Sequence, residues 1–92
     1  MIWVRSKYEY SQTLAVMALD EDGSLYGVAT VYLEGQSEKL PECCAFVDTN
    51  NWPDVDKLLI DEDIAVLEET VGQSGFCTYP AMRFDLDKIK EV

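Results

Sequence analysis

Two apolar runs joined by a short Asp-Gly turn constrain the fold of this 92-residue chain more than any other feature of its sequence. Residues 13–20 and 25–33 have the composition of strands, and Glu21-Asp22-Gly23-Ser24 separates them. An Asp-Gly pair readily adopts the positive φ angles that a tight hairpin turn requires. The pattern therefore predicts an antiparallel β-hairpin. In the second run apolar side chains alternate onto both faces, which predicts a central strand.

A third strand and the one predicted helix follow in the middle of the chain. Residues 43–47 form a short apolar run that gives way to polar residues at Asp48, and Pro53 is tolerated in a first helical turn. Asn51 is predicted to cap the N-terminus of this helix, since its side chain can accept a hydrogen bond from a free backbone N–H. The apolar stripe that would pack on the sheet, at helical spacing, consists of Val55, Leu58 and Leu59.

The rest of the chain predicts mainly extended structure. Residues 64–71 suit either a helix or a strand, and we favour extended backbone from about Ala65. Residues 72–75 are predicted to form a loop and residues 76–86 a strand, in which Pro80 requires an edge position or a bulge because it has no N–H to donate. The predicted fold is a single α+β domain spanning residues 1–92, with an antiparallel sheet of four to five strands and one short helix packed on it.

Negative charge is concentrated in the middle of the sequence. The chain carries 18 Asp and Glu residues against 7 Lys and Arg, a net charge of −11, and between residues 41 and 75 nine acids accompany a single base, Lys57. Such a field repels nucleic acid and anionic membranes, whereas a basic protein groove attracts it. We therefore predict a partner-binding surface around the helix, with Trp52 as an anchor and the charge supplied by Asp54, Asp56, Asp61, Glu62, Asp63, Glu68 and Glu69.

The sequence argues against catalysis and against a bound cofactor or metal. It has no histidine, the usual base for a Ser or Cys nucleophile, so Ser74 or Cys77 would need an unusual activator. Its three cysteines, Cys43, Cys44 and Cys77, match neither a zinc motif nor a disulfide framework. The acidic turn and the helix start lack the Gly and Glu positions of a calcium-binding EF-hand loop. With no signal peptide and no apolar run of membrane-spanning length, we expect a cytoplasmic protein.

Four segments of the chain together resemble a family of short accessory proteins of unknown function encoded on conjugative elements and prophages of Gram-positive bacteria. They are residues 26–35, 45–51, 73–80 and 83–86, within a similarity that covers residues 25–86. Its most specific parts are Asp48-Thr49-Asn50-Asn51 and Ser74-Gly75-Phe76-Cys77-Thr78-Tyr79-Pro80. Tyr32 and Glu34 depart from the family pattern, in which Asn and Pro are commoner. The resemblance implies no catalytic residues, and it implies a setting in which some proteins look like inhibitors of host restriction or CRISPR systems.

Two functions of different classes remain open from the sequence. The leading hypothesis is a non-enzymatic inhibitor of the anti-CRISPR or anti-restriction type, acting in the host bacterial cytosol. Its acidic surface would bind the basic nucleic-acid-binding surface of a CRISPR effector or restriction enzyme, without binding nucleic acid or membrane directly. The alternative is a structural or assembly module of the mobile element, acidic only for solubility and able to form a homodimer. Trp52 would then be a structural residue at the helix start.

Overall fold

The computed structural model describes residues 1–92, which form eight strands, one α-helix and two short 3-10 turns. The strands are β1 (Ile2–Lys7), β2 (Leu14–Leu19), β3 (Leu25–Val28), β4 (Thr30–Val31), β5 (Cys44–Val47), β6 (Ala65–Ser74), β7 (Cys77–Phe84) and β8 (Lys90–Glu91). The helix α1 (Val55–Asp61) lies between β5 and β6, and the 3-10 turns are Ser37–Lys39 and Leu86–Lys88. The predicted α+β class with one short helix is confirmed. At seven residues, α1 is far too short to cross a membrane, and it is the one α-helix of the structure.

The strands divide between two four-stranded sheets. The first sheet has the order β3-β2-β1-β8 and the second has the order β4-β5-β7-β6. All neighbouring strands are antiparallel except β1 and β8, which pair in parallel through two residues of each. The antiparallel four-stranded arrangement agrees with the sequence, whereas the division into two sheets was not anticipated.

The hairpin forms as predicted, but its second strand is not a central one. β2 and β3 pair in antiparallel fashion across a turn in which Gly23 has a φ angle of 88°. The run that follows the turn then breaks into β3 and β4, each lying at the edge of a different sheet. Leu25 and Tyr26 of β3 are each 59% exposed, so the prediction that both faces of this run are covered is wrong.

The break occurs at Ala29, which is fully buried. Its N–H donates to the carbonyl of Val16 in β2 at 2.9 Å, and its own carbonyl accepts from the N–H of Asp48, just after β5, at 2.8 Å. Beside it, the buried hydroxyl of Thr30 accepts from the N–H of Val16 at 3.1 Å and shares a 3.0 Å hydrogen bond with the Tyr8 hydroxyl. These bonds satisfy the backbone where the chain passes from one sheet to the other.

The main core lies between the two sheets and the helix. Its fully buried residues include Val16 from the first sheet, Met82 from the second, and Val55 and Leu59 from α1. The predicted apolar stripe of the helix is therefore confirmed, with Leu58 partly buried against the same cluster. A smaller apolar cluster lies at the second sheet. It consists of Leu33, Phe46, Tyr79 and Ala81, and Val31, Leu40 and Cys77 pack against it.

The start of the helix differs from the prediction. The N-cap is Asp54, in a left-handed conformation with a φ angle of 65°, and its side chain makes no capping hydrogen bond. Asn51 instead belongs to the preceding turn, where the carboxylate of Asp48 accepts from its backbone N–H at 3.1 Å and from its side-chain amide at 2.9 Å. The predicted cap at Asn51 is wrong. The helix begins at Val55, and the carboxylate of Asp48 holds Asn51 in the turn that precedes it.

The C-terminal strands also correct two details. β6 begins at Ala65 as favoured, but it continues to Ser74, so the loop predicted at residues 72–75 reduces to a turn at Gly75 and Phe76. β7 lies between β5 and β6, so Pro80 is not in an edge strand. The irregularity that Pro80 requires lies in β6, whose register with β7 shifts between Leu67 and Val71.

Gly72 in β6 gives a test of the packing between β6 and the smaller cluster. A Cβ atom at this position would lie 2.5 Å from Cδ1 of Leu33 and 2.8 Å from Cε1 of Phe46. Because overpacking a buried site forces neighbouring atoms to move, we expect Gly72→Ala to lower the free energy of unfolding by about 1–3 kcal/mol in urea titrations. Ser74→Ala, at an exposed position in the same strand, should stay within about 0.5 kcal/mol of the wild type. Equal stability of the two variants would contradict this packing.

Candidate functional site

The acidic residues singled out in the sequence lie on two elements that contact each other, α1 and β6. Asp56 and Asp61 belong to the helix, Asp54 precedes it, and Glu62 and Asp63 follow it. Glu68 and Glu69 lie in β6 at its register shift. We call these seven residues the acidic surface. All of them are exposed or half-buried, so their carboxylates are accessible to a binding partner.

The charge at the C-terminal end of α1 opposes the helix dipole. The last turn and the residues after it carry Asp61, Glu62 and Asp63, and the last turn contains no basic residue. Carboxylates stabilise a helix at its N-terminus and destabilise it at its C-terminus, where the partial charge of the free carbonyl groups is already negative. None of these three carboxylates is therefore favoured by the helix dipole.

Two of these carboxylates are held by residues distant in the sequence. The indole N–H of Trp3 in β1 donates to Oε1 of Glu62 at 3.1 Å. The ammonium of Lys88 donates to Oδ2 of Asp63 at 2.5 Å and to the Asp63 carbonyl at 3.0 Å. This hydrogen bond and charge hold the pKa of Asp63 below its ordinary value. Both partners bind the chain where it leaves the helix, and Asp63 adopts a φ angle of 60° there.

Basic residues neutralise further parts of the acidic surface. Lys57 lies 3.4 Å from Asp54 one turn away on the helix, and Nε of Arg83 donates to Oε1 of Glu68 at 2.6 Å. The carboxylates that form neither an ion pair nor a hydrogen bond are those of Asp56, Asp61 and Glu69. The excess of negative charge seen in the sequence is thus reduced by Arg83 and Lys88, two cations from outside residues 41–75.

Trp52 lies in an aromatic cluster. It stacks on Trp3 with ring centroids 5.8 Å apart and planes 17° apart, and it contacts Tyr26 at a centroid distance of 5.5 Å. Gly27 makes room for the ring, because a Cβ atom there would lie 3.0 Å from Cζ3 of Trp52. Trp52 is thus half-buried between two aromatic partners, and Trp3 links it to the acidic surface through Glu62.

The structure thus joins part of the predicted site and separates another part. Trp52, Trp3 and Glu62 form a continuous chain of contacts that reaches the carboxylates at the end of the helix. Glu68 instead belongs to a different group of side chains, which contains Arg83 and the thiols of Cys43 and Cys44. No group of three or more Cys, Asp or Glu side chains is arranged to hold a metal ion.

Sequence reasoning missed the exposed apolar residues of β6. This edge strand exposes Val66, Leu67 and Val71 by 55%, 54% and 61%, and the turn after it exposes Phe76 completely. The apolar residues beside Glu68 and Glu69 were visible in the sequence. Their exposure was not, because it depends on β6 being the last strand of its sheet.

Comparison with known proteins relates the chain to a family model. A family model described as "Domain of unknown function (DUF4313)" matches residues 4–92, almost the whole chain. No curated protein and no solved structure matches.

The ion pair at the end of the helix gives a pH-dependent prediction. Because the pKa of Asp63 is lowered in the folded state, the pair with Lys88 stabilises the fold above the ordinary aspartate range, and this stabilisation is lost as the pH falls through the folded-state pKa. We expect Asp63→Asn to melt below Asp61→Asn at neutral pH, with the two melting temperatures converging in acid. Both variants remove one negative charge, so their difference excludes the effect of net charge. A difference that persists unchanged in acid would contradict the assignment.

Proposed function

Because the chain belongs to the family described as Domain of unknown function (DUF4313), whose description assigns no activity, we propose its function from its surface. We propose that it is a non-enzymatic binding protein whose acidic surface engages a basic surface of another protein. The observation that carries this proposal is the set of carboxylates at the C-terminal end of α1, where they oppose the helix dipole.

The carboxylates without a partner make the strongest contribution to this argument. Asp61 lies at the unfavourable end of the helix, and neither it nor Asp56 or Glu69 has a cation within ion-pair distance. The chain already carries a net charge of −11, so each of these groups adds self-repulsion. A basic partner would relieve that repulsion on binding, which favours a complex that forms rapidly and weakens as salt is added.

For the partner we propose a nucleic-acid-binding surface. The acidic surface carries seven carboxylates on two elements that contact each other, and a groove that binds nucleic acid is a basic protein surface that such a field attracts. The resemblance to accessory proteins of mobile elements supports a specific form of the proposal. In that form the chain inhibits a CRISPR effector or a restriction enzyme in the host cytosol.

The unpaired carboxylates permit a test that spares the internal ion pairs. We expect the wild type to recover a nucleic-acid-binding complex from host lysate at low salt and to lose it at high salt, as read by mass spectrometry. The triple variant Asp56→Lys, Asp61→Lys, Glu69→Lys should bind the recovered complex at least about tenfold more weakly, since several charge contacts are lost.

A matched control separates this surface from the total charge. The triple variant Glu9→Lys, Glu21→Lys, Glu34→Lys makes the same change in net charge at exposed positions outside the acidic surface. It should bind nearly as well as the wild type. Equal weakening by the two triple variants would show that overall charge, and not the acidic surface, controls binding.

The alternative function, an assembly module, is favoured by the exposed apolar residues of β6. An edge strand presents unpaired backbone N–H and C=O groups, and here Val66, Leu67 and Val71 beside them are more than half exposed. In this alternative the occupant is a second copy of the chain that pairs β6 with β6 across a two-fold axis.

The direction of the salt effect distinguishes the two functions. Two copies that each carry −11 repel each other, so salt should strengthen self-association, whereas salt weakens binding to a basic partner. If the alternative holds, sedimentation velocity should show a dimer that increases with salt and that Val71→Lys abolishes. Leu25→Lys, on the exposed edge strand of the other sheet, should leave that dimer intact. A monomer at every salt concentration would exclude this alternative.

A further inference from the structure

Four reactive or charged side chains meet at the start of β5. Nη1 of Arg83 donates to Sγ of Cys43 at 3.1 Å, while Nε of the same guanidinium donates to Oε1 of Glu68 at 2.6 Å. Sγ of Cys44 lies 3.8 Å from that same Glu68 oxygen. We call this group the thiol cluster. None of its four side chains belongs to either apolar cluster, and the proposed binding function uses only Glu68 from it.

The two adjacent thiols have different environments. Cys43 lies in the turn before β5, is half-buried, and contacts a guanidinium whose side chain is 50% exposed. Cys44 is the first residue of β5 and is buried. Its burial, and to a smaller extent the neighbouring Cys43, raise the pKa of its thiol to about 11. Nη1 of Arg83 lies against Sγ of Cys43, whereas burial keeps small reagents from Sγ of Cys44. The arrangement therefore exposes one thiol for reaction and protects the other.

We propose that Cys43 is a site of reversible S-thiolation by cationic low-molecular-weight disulfides, with Arg83 as the residue that positions its sulfur. The Cys43 thiolate attacks one sulfur of the small disulfide, so that a bond between Sγ and that sulfur forms and the S–S bond of the reagent breaks. Cys43 is oxidised to a mixed disulfide, the leaving half of the reagent is reduced to a thiolate, and that thiolate takes a proton from water. Excess small thiol reverses the reaction.

The charge of the protein selects the charge of the reagent. The net charge of −11, with Glu42 next to Cys43 in the sequence, repels an anionic disulfide and attracts a cationic one. Arg83 does not reverse this selection, because its pairing with Glu68 reduces its field at a distance, while its direct contact with the sulfur of Cys43 remains. Cystamine, a dication, should therefore react faster than the dianion dithiodipropionate, and added salt should reduce the difference.

Modification also changes the acidic surface. An adduct on Sγ adds atoms next to the guanidinium of Arg83, which also donates to Glu68. The inference does not depend on the binding function, because the reaction itself is the readout.

The experiment uses the full chain with Cys77→Ser, which leaves Cys43 and Cys44 as its thiols. Reaction with cystamine is followed by intact mass spectrometry, and the modified residue is identified by peptide mapping. We expect a single adduct on Cys43, formed faster in the folded chain than in the same chain in urea. Arg83→Gln should slow the reaction about tenfold, and Arg83→Lys, which keeps the charge, should react at an intermediate rate.

Controls separate the positioning role of Arg83 from a structural one. Thermal unfolding and circular dichroism establish that each variant is folded. Glu68→Gln removes the carboxylate partner of Arg83 but leaves Arg83 beside Cys43, so its rate should equal or exceed that of the parent chain. The proposal is overturned if the adduct forms on Cys44, if the folded chain reacts no faster than the unfolded one, or if Arg83→Gln reacts at the parent rate. It is also overturned if Arg83→Lys is as slow as Arg83→Gln.

Discussion

The hydrogen bonds around Ala29 and Thr30 are the constraint on which the rest of the structure depends. One buried residue connects the two sheets, because its N–H donates to Val16 in β2 and its carbonyl accepts from Asp48 beyond β5. The hydroxyl of Thr30 accepts a hydrogen bond from the backbone N–H of Val16. Without it, this buried N–H would have no partner at the point where the chain passes between the sheets. Buried residues of both sheets meet around this point, in the core that also receives Val55 and Leu59 of the helix.

The acidic surface is a consequence of how the helix is held. α1 is only seven residues long, a length at which helices depend on tertiary contacts more than on their own propensity. Burial of one face fixes it on the core, and Trp3 and Lys88 bind its C-terminal end from β1 and from the second 3-10 turn. Those contacts fix the backbone after the helix while Asp61 stays unpaired. The surface therefore combines carboxylates that are held by hydrogen bonds with others that have no partner.

Arg83 connects the acidic surface to the thiol cluster. Its guanidinium donates through different nitrogen atoms to Glu68 and to Cys43. A movement of the guanidinium at one contact therefore changes the geometry of the other. The planar group can serve two acceptors at once, which an ammonium on a flexible chain does less well. Arg83 is in this position because β7 lies between β5 and β6, where Cys44 and Val66 are its neighbours across the two ladders. The same order of strands places β6 at the edge and exposes its apolar residues.

The sequence alone determined the local features of this protein. The Asp-Gly turn fixed the hairpin because the required φ angle is a property of the residues themselves. The spacing of Val55, Leu58 and Leu59 fixed the buried face of the helix, and the density of Asp and Glu identified the acidic segment. Each of these depends on residues close together along the chain.

Only the tertiary structure decided the features that join distant residues. The separation into two sheets depends on the hydrogen bonds of Ala29 to Val16 and Asp48. The N-cap of the helix differs from the predicted one because Asn51 is hydrogen-bonded to Asp48 in the preceding turn. The positions of Arg83 beside Cys43 and of Lys88 beside Asp63 follow from strand order, 40 and 25 residues apart in sequence. Local patterns specify which residues can be buried or charged. The hydrogen bonds between strands decide which of them meet, because many strand orders satisfy the same pattern of apolar residues.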